Sequence, residues 1–323
     1  MAWIACLGEC MIELREVAEA QDAPPSTGPM RRGFGGDTLN TAIYAARCGA
    51  RTGVTVEYVT ALGDDPYSEE MLAAWRAEGV GTRLVRRLAG RRPGLYTIRV
   101  DQAGDRSFQY WRSASAARET IRAWGVEALG AALDGCDILY FSGITLGILD
   151  DESRAGLLRI AARRRADKAA VAFDSNFRPA LWRSRAEARL WAERAYAVAS
   201  LALPTYDDEH RLFGDQTPVA TVERLQSAGV AEVVVKNGAN PCVVATAGCR
   251  SEIAPEVVAR PVDTTAAGDS FNAAYMVARQ SGATPEAAAA AGHGLAARVI
   301  AAPGAIVPGV PGVPGVPVPE GAG

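Results

Sequence analysis

Apolar and polar positions fall into two alternating kinds of block along this chain. Short runs rich in Val, Ile and Ala are apolar on both faces, and longer stretches between them place apolar residues at three- and four-residue spacing. The first pattern is that of buried parallel strands, the second that of amphipathic helices crossing between them. It predicts strands over residues 4–14, 56–62, 137–142, 169–174, 199–203, 232–236 and 242–245. It predicts helices over 38–48, 67–78, 151–165, 185–199, 217–228, 270–280 and 285–301. Strand and helix alternate from end to end, so the expected class is α/β, a mostly parallel central sheet flanked by helices.

Two regions break this rhythm. Residues 15–34 hold a polar, Pro-containing stretch, and residues 91–112 read as two alternating strands, GLYTIRV and RSFQYWR, joined around Asp101–Asp105. The second is hairpin material. Together they predict a small β-flap on the edge of the main layer, although the pattern alone also fits an ordinary surface hairpin. From Ile306 onward the chain repeats Val-Pro-Gly. Pro and Gly at that density suit neither helix nor strand interiors, so this stretch is expected to be flexible. The expected organisation is one body over 1–307 with a tail over 308–323.

Composition narrows the class without naming a function. Of 323 residues 49% are hydrophobic, enough for a large core, and 34 basic against 37 acidic residues leave a net charge of −3. That balance lacks the basic excess of a nucleic-acid binder. Only Lys168 and Lys236 are lysines; the other basic residues are arginines. The six cysteines form no CxxC pair and do not make a disulfide scaffold in a chain of this length. With only His210 and His293 available, a zinc site is not expected. The N-terminal apolar run carries Glu9 and Glu13 and has no basic segment before it, so it reads as a strand and not a signal peptide. No uncharged apolar run reaches the roughly 18 residues that span a bilayer. A soluble, cytoplasmic protein is expected, with no nucleic-acid or membrane partner.

The sharpest chemical signal is DTTAAGDSFNAAY, residues 263–275. Ala266, Ala267 and Gly268 run into a helix, and side chains this small leave the backbone N–H groups of the turn open. The positive end of the helix dipole adds to them, so the turn can hold an anion such as phosphate. Asp269, at its mouth, could take the proton of a hydroxyl that attacks a phosphoryl group. An Asp that only caps the helix fits the same letters. The second signal is GFGGDTLNTAIYAARC, residues 33–48. There Gly35 and Gly36 permit close backbone approach to a ligand, Asp37 or Thr38 can cap the next helix, and the Asn40 amide can bind a sugar hydroxyl. Ordinary turn chemistry also accounts for the Gly-Gly pair.

Together these segments resemble the two signatures of the ribokinase-like (PfkB) carbohydrate kinases. The second signature is met from Asp263 through Gly268, Asp269 and Ala274, and the first through Gly35, Gly36, Asn40, Ala42 and Gly49. The stretch after Gly49 is longer than is usual before Leu62-Gly63-Asp64-Asp65, a departure that leaves the catalytic assignment intact. The resemblance covers residues 1–307 and implies a three-layer sandwich with a small β-lid, with ATP and Mg²⁺ as cofactors. The runs GECMIEL, VTALGDD, PGLYTI and FQYWRSASAA are similar to the subgroup that phosphorylates 2-keto-3-deoxygluconate at its terminal (6-) hydroxyl.

A sugar acid needs a guanidinium for its carboxylate and hydroxylated side chains for its other oxygens. Tyr96, Tyr110 and Arg112 stand on the flap strands, with Tyr110 and Arg112 two apart on one face. The resemblance sets Arg178, in DSNFRP, near the transferred phosphate or the substrate. It sets Lys236 and Gly238 beside the nucleotide phosphates, shared with Ala266 and Gly268, and the helix around His293 beside the adenine. Where many members carry Asn-x-x-Glu, linked to Mg²⁺ and phosphate, this chain has Thr205-Tyr206-Asp207-Asp208. Oxygen donors persist there, but direct metal ligation by them is in doubt, and no residue is assigned as a metal ligand. Asp263 can organise charge or cap the turn. Lids of this family often pair between subunits, which implies a possible homo-oligomer.

The readings left open are a kinase of the same fold for fructose, ribose or a related neutral sugar, and a non-catalytic sugar- or nucleotide-binding regulator. A dinucleotide-dependent dehydrogenase lacks its strand–GxGxxG–helix fingerprint here.

Overall fold

In the computed structural model, which describes residues 2–16, 28–100 and 106–310, the first apolar run forms two strands instead of one. Trp3–Leu7 make β1, and Met11–Glu16 make β2 in a different sheet. The expected strand over 4–14 is corrected accordingly. Gly8 marks the break, because a Cβ there would lie 2.1 Å from the Thr38 hydroxyl oxygen. β3 (Met30–Gly35) returns beside β2 and leads into α1 (Asp37–Gly49). Residues 17–27, the middle of the predicted flap segment, lie outside the described residues, as do 311–323 of the tail and the Asp101–Asp105 turn.

After α1 come β4 (Thr55–Leu62), α2 (Pro66–Ala77), the short β5 (Val80–Gly81) and β6 (Val85–Arg87), and the hairpin strands β7 (Gly94–Val100) and β8 (Arg106–Trp111). Next are α3 (Thr120–Trp124), α4 (Val126–Ala132), β9 (Ile138–Ser142), α5 (Gly143–Ile148), α6 (Asp151–Ala166), β10 (Ala170–Asp174) and α7 (Arg185–Val198). The chain continues through β11 (Leu201–Ala202), α8 (Tyr206–Phe213), α9 (Pro218–Ser227), β12 (Glu232–Val235), β13 (Cys242–Thr246) and β14 (Cys249–Ile253). It closes on α10 (Ala267–Gln280) and α11 (Pro285–Ile300). The strand expected over 199–203 shrinks to two residues, because Ala199 caps α7 and Pro204 has no N–H to extend a ladder. The pattern missed β5, β6, α3, α4, α5, α8 and β14. In α8 the first turn is Asp207, Asp208 and Glu209, and two of these carboxylates, Asp208 and Glu209, are buried, so the apolar period is hidden.

The large sheet runs β14-β13-β12-β11-β10-β9-β1-β4-β5, with β6 on β4; it is parallel from β5 to β12 and antiparallel at β13 and β14. Its inner strands are buried on both faces, and their successive side chains divide between two cores. In β1, Ile4 and Cys6 join the core under α1, α10 and α11, while Ala5 and Leu7 join the core under α6, α7 and α9. Three layers result. The flap is a separate four-stranded sheet in the order β3-β2-β7-β8.

The tail begins later than the Pro–Gly pattern suggests. The Tyr44 hydroxyl donates to the Ala305 carbonyl at 2.8 Å and accepts from the Val307 N–H at 3.0 Å; Arg47 donates to the Val307 carbonyl at 2.7 Å. Val307 is buried. Flexibility expected from 306 onward is therefore corrected at 306 and 307, which are pinned to α1. Among the described residues, no helix is long and apolar enough to cross a membrane.

Candidate active site

A cleft of about 1890 Å³ opens between the flap sheet and the body, and most of the residues singled out in the sequence line it. Gly36, Asn40, Tyr96, Tyr110, Arg112, Arg178, Lys236 and the run from Ala266 to Asp269 all do so. Gly35 and Gly238 do not line it. The two glycines before α1 also serve the protein more than a ligand. A Cβ on Gly36 would sit 2.1 Å from the Glu9 carbonyl oxygen, and one on Gly35 would sit 2.4 Å from the Tyr96 hydroxyl. His293 is buried in α11, with its Nε2 3.1 Å from the Ile253 carbonyl and its ring edge-on to Phe271, and it does not line the cleft.

Asp269 is the third residue of α10 and is not its cap. The N-cap is Ala266, which takes a left-handed conformation (φ 61°) and makes no side-chain capping bond. An L-residue other than Gly pays about 1–2 kcal/mol for that conformation. The strain bends the chain so that the helix N-terminus opens onto the cleft. The turn before it is held from behind by Asp263, whose carboxylate accepts from the N–H groups of Thr265 and Gly304, both at 2.9 Å. Asp263 is thus an organiser of the turn, buried away from the cleft.

The Asp269 carboxylate accepts from Asn40 Nδ2 at 2.9 Å. Enclosure by the protein, reinforced by the negative charge of Asp37, pushes its pKa up to about 7. Asp37 also lines the cleft, and its carboxylate accepts from Asn176 Nδ2 at 2.9 Å. The expectation that Asp37 or Thr38 caps α1 is corrected: Gly36 occupies the cap position, without a side-chain bond. Thr38 is buried, with its hydroxyl 3.0 Å from that of Tyr58.

Lys236 is nearly enclosed. Its ammonium donates to Asp174 at 2.7 Å and to the Asn272 side-chain oxygen at 2.9 Å, while Asn272 Nδ2 donates to Asp174 at 2.8 Å. A Cβ on Gly268 would lie 3.3 Å from that ammonium, so the cation stands directly under the bare turn. Lys236 is reached through a parallel bridge between Thr205 and the end of β12.

The two arginines differ sharply. Arg112 has a side chain only 11% exposed and donates to Glu9, which is buried and also accepts from Ser115. Its charge is therefore already matched. Arg178 is 51% exposed and only loosely tied to Asp208, at 3.5 Å. It is the freer guanidinium for an incoming anion. On the flap, Tyr96 and Tyr110 are directly paired across β7 and β8, with ring centroids 5.8 Å apart, and Tyr96 donates to Glu13. Tyr110 is half exposed and forms, with Phe108 and Tyr96, an aromatic wall of the cleft.

Sequence reasoning missed Glu9, Asp37, Asp174, Asn176 and Asn272. Two of them, Asp174 and Asn176, lie in the DSNFRP segment from which only Arg178 was taken. For a metal, no group of three His, Cys, Asp or Glu side chains converges among the described residues. Asp208 and Thr205 offer oxygens to the cleft, and burial raises the Asp208 carboxyl above its ordinary range. Such a sparse donor set suits Mg²⁺, which keeps most of its ligands as water and substrate phosphates.

The family description that matches the chain, over residues 1–311, is "pfkB family carbohydrate kinase". The chain is 44% identical to the 2-dehydro-3-deoxygluconokinase of Escherichia coli K12 over 308 residues, 94% of this chain and 97% of that one. It is 43% identical to the 2-dehydro-3-deoxygluconokinase of Dickeya dadantii over 311 residues, 94% of this chain and 96% of the other. Its fold is shared with a fructokinase from Xylella fastidiosa solved with bound ATP: TM-score 0.79, 21% identity, 94% of this chain and 93% of that chain.

Proposed function

This chain belongs to the pfkB family of carbohydrate kinases, and on that footing we propose that it transfers the γ-phosphoryl group of ATP to the 6-hydroxyl of 2-dehydro-3-deoxy-D-gluconate. The observation that carries the reading is the setting of Asp269: beside the open N-terminus of α10, tied to Asn40, and in one cleft with Arg178, Arg112 and the flap tyrosines. Asp269 takes the proton of the 6-hydroxyl as its oxygen forms a bond to the γ-phosphorus. The bond from that phosphorus to the β,γ-bridging oxygen breaks, and ADP leaves with the bridging oxygen. The backbone N–H groups of Gly268 and Asp269, at the start of α10, face the charge that develops on the transferred group, while that of Ala267 donates to the Thr264 carbonyl. Lys236, fixed by Asp174 and Asn272, adds a positive charge beneath it.

Arg178 meets the anionic end of the substrate or the phosphate in transit, and Arg112 with Tyr96 and Tyr110 forms the acid-recognising wall. Mg²⁺ bound to the nucleotide would draw charge from the phosphates, with Asp208 and Thr205 as its protein oxygens. Residues 1–307 act as one kinase body whose flap sheet is its lid, and 308–323 take no part in the chemistry. Closing the lid over the cleft excludes water and so limits ATP hydrolysis.

The test is coupled ATP turnover against a panel of keto-deoxy sugar acids and neutral sugars. The reading expects kcat/KM for 2-dehydro-3-deoxy-D-gluconate to exceed that for fructose or ribose by at least about 100-fold. Equal use of neutral sugars overturns it.

A further inference from the structure

Three carboxylates, those of Asp37, Asp174 and Asp269, border the reacting end of the cleft, and the Lys236 ammonium stands among them. Lys236 pairs directly with Asp174 at 2.7 Å, while among the described residues neither Asp37 nor Asp269 makes an ion pair within 4 Å. Instead each is held by an amide. Asn40 donates to Asp269 and Asn176 donates to Asp37, both at 2.9 Å. Asp37 and Asn40 are three residues apart in the first turn of α1, and such positions share a face. The turn that brings the Asp269 tether into the cleft therefore brings a second negative charge with it.

That second charge is fixed in place. Asn176 has φ 33°, a left-handed conformation that an Asn tolerates better than most residues. Its own N–H donates to Asp174 at 3.1 Å, which locks the turn that aims the Asn176 amide at Asp37. Asp37 stands in the first turn of α1, where the helix dipole favours a carboxylate.

We propose that Asp37 is a positioning residue of the phosphoryl transfer: held by Asn176 one helical turn from Asn40, its carboxylate sets how readily Asp269 gives up and takes a proton. The inference rests on the reading of Asp269 as the base. The charged and titratable groups around Asp269 are Asp37 and Tyr44 on α1, Tyr140 on β9, Asp174 at the end of β10 and Lys236 after β12. The tyrosines remain neutral, since burial drives both upward from their ordinary value. Asp174 and Lys236 oppose each other as a close pair. Asp37 makes no ion pair among the described residues, and its charge disfavours the ionised form of its neighbour. It adds to the larger effect of enclosure, and together they let the base hold its proton towards neutral pH, where a general base is most effective.

The experiment is the pH dependence of kcat/KM for wild type and Asp37→Asn, with Asp37→Ser as the second variant should the first fold poorly. Carbon-13 spectra of aspartate-labelled protein follow the Asp269 carboxyl directly, its resonance assigned by its loss in Asp269→Asn. Removing the charge should move both the acidic limb and the Asp269 titration to lower pH, by on the order of one unit. A higher KM for the sugar with an unmoved titration overturns the inference and makes Asp37 a substrate hydroxyl ligand. Because the spectra need no turnover, a shifted titration in a protein that phosphorylates no sugar acid upholds the role of Asp37 while overturning the proposed substrate.

Discussion

Asn40 and Asp269 are 229 positions apart in the chain, and the amide of one donates to the carboxylate of the other across 2.9 Å. Each supplies what the other half of the protein lacks: α1 the tether, α10 the carboxylate proposed as the base. Replacing Asp269 with Asn keeps the shape and removes the proton acceptor. Turnover should fall by about 10²–10⁴-fold, with the KM for ATP little changed. Steady-state kinetics with the sugar acid read the outcome, and near-normal turnover removes Asp269 as the base. In the wild type, kcat/KM should decline as the pH drops through about 7, because the base must be ionised to act.

The same carboxyl links stability to pH. Its pKa in the folded protein, about 7, lies above its ordinary value of 3.8, so the folded state binds this proton more tightly than the unfolded chain does. The associated stability is full below the ordinary value and is lost progressively until the pH passes about 7. Asp269→Asn carries no charge at any pH. Its Tm should exceed that of the wild type by a few degrees at about pH 8, and the gap should close at about pH 4. Equal Tm values across that range would contradict the raised ionisation.

Arg112 and Arg178 should separate by what their loss does to the fold. Arg112→Ala leaves Glu9 buried and unpaired, which costs about 3–5 kcal/mol; its effect on substrate choice is then confounded with unfolding. The double variant Glu9→Gln, Arg112→Met removes both charges and should regain most of that stability, so substrate preference is best measured there. Arg178→Ala, at a half-exposed position, should leave the Tm within the error of the measurement while lowering kcat/KM at least about 10-fold. Denaturant unfolding beside kinetics checks the three proteins.

Two glycines should fail in different ways. Gly36→Ala drives a methyl group to 2.1 Å from the Glu9 backbone oxygen, and backbone cannot swing aside. It should destabilise the protein by about 1–3 kcal/mol or more. Gly268→Ala meets only the Lys236 ammonium, at 3.3 Å, and Ala favours the helix it enters. That variant should fold as well as the wild type but bind ATP more weakly, seen as a raised KM.

Where side-chain period reports burial, the sequence was readable. The long helices α1, α6, α7, α10 and α11 and the buried strands β4, β9, β10, β12 and β13 are visible in the order of apolar letters, because both sheet faces are covered. The split of the first run into β1 and β2 is not, because apolar letters continue from Trp3 through Ile12 around Glu9, and a close approach at Gly8 divides the strands. Within the site, Asp269, Asn40 and Lys236 stand in distinctive letter patterns. Glu9, Asp174 and Asn272 lie inside the quoted runs as well, but their work is to hold other side chains across the sheet, and a pairing made by folding is not spelled out by local spacing. The partner that matches the charge of Arg112 lies 103 positions away, beyond the reach of any motif.

Ala305 and Val307 are fastened to Tyr44 and Arg47 on α1, the helix that presents Asn40. A chain growing from its N-terminus makes α1 early but cannot complete these fastenings until residue 307 has emerged. The helix that tethers the base is thus among the last parts to be secured, and a polypeptide cut short before this point carries both catalytic segments without the clasp between them. Assembly of the proposed site is in this way tied to the emergence of residue 307.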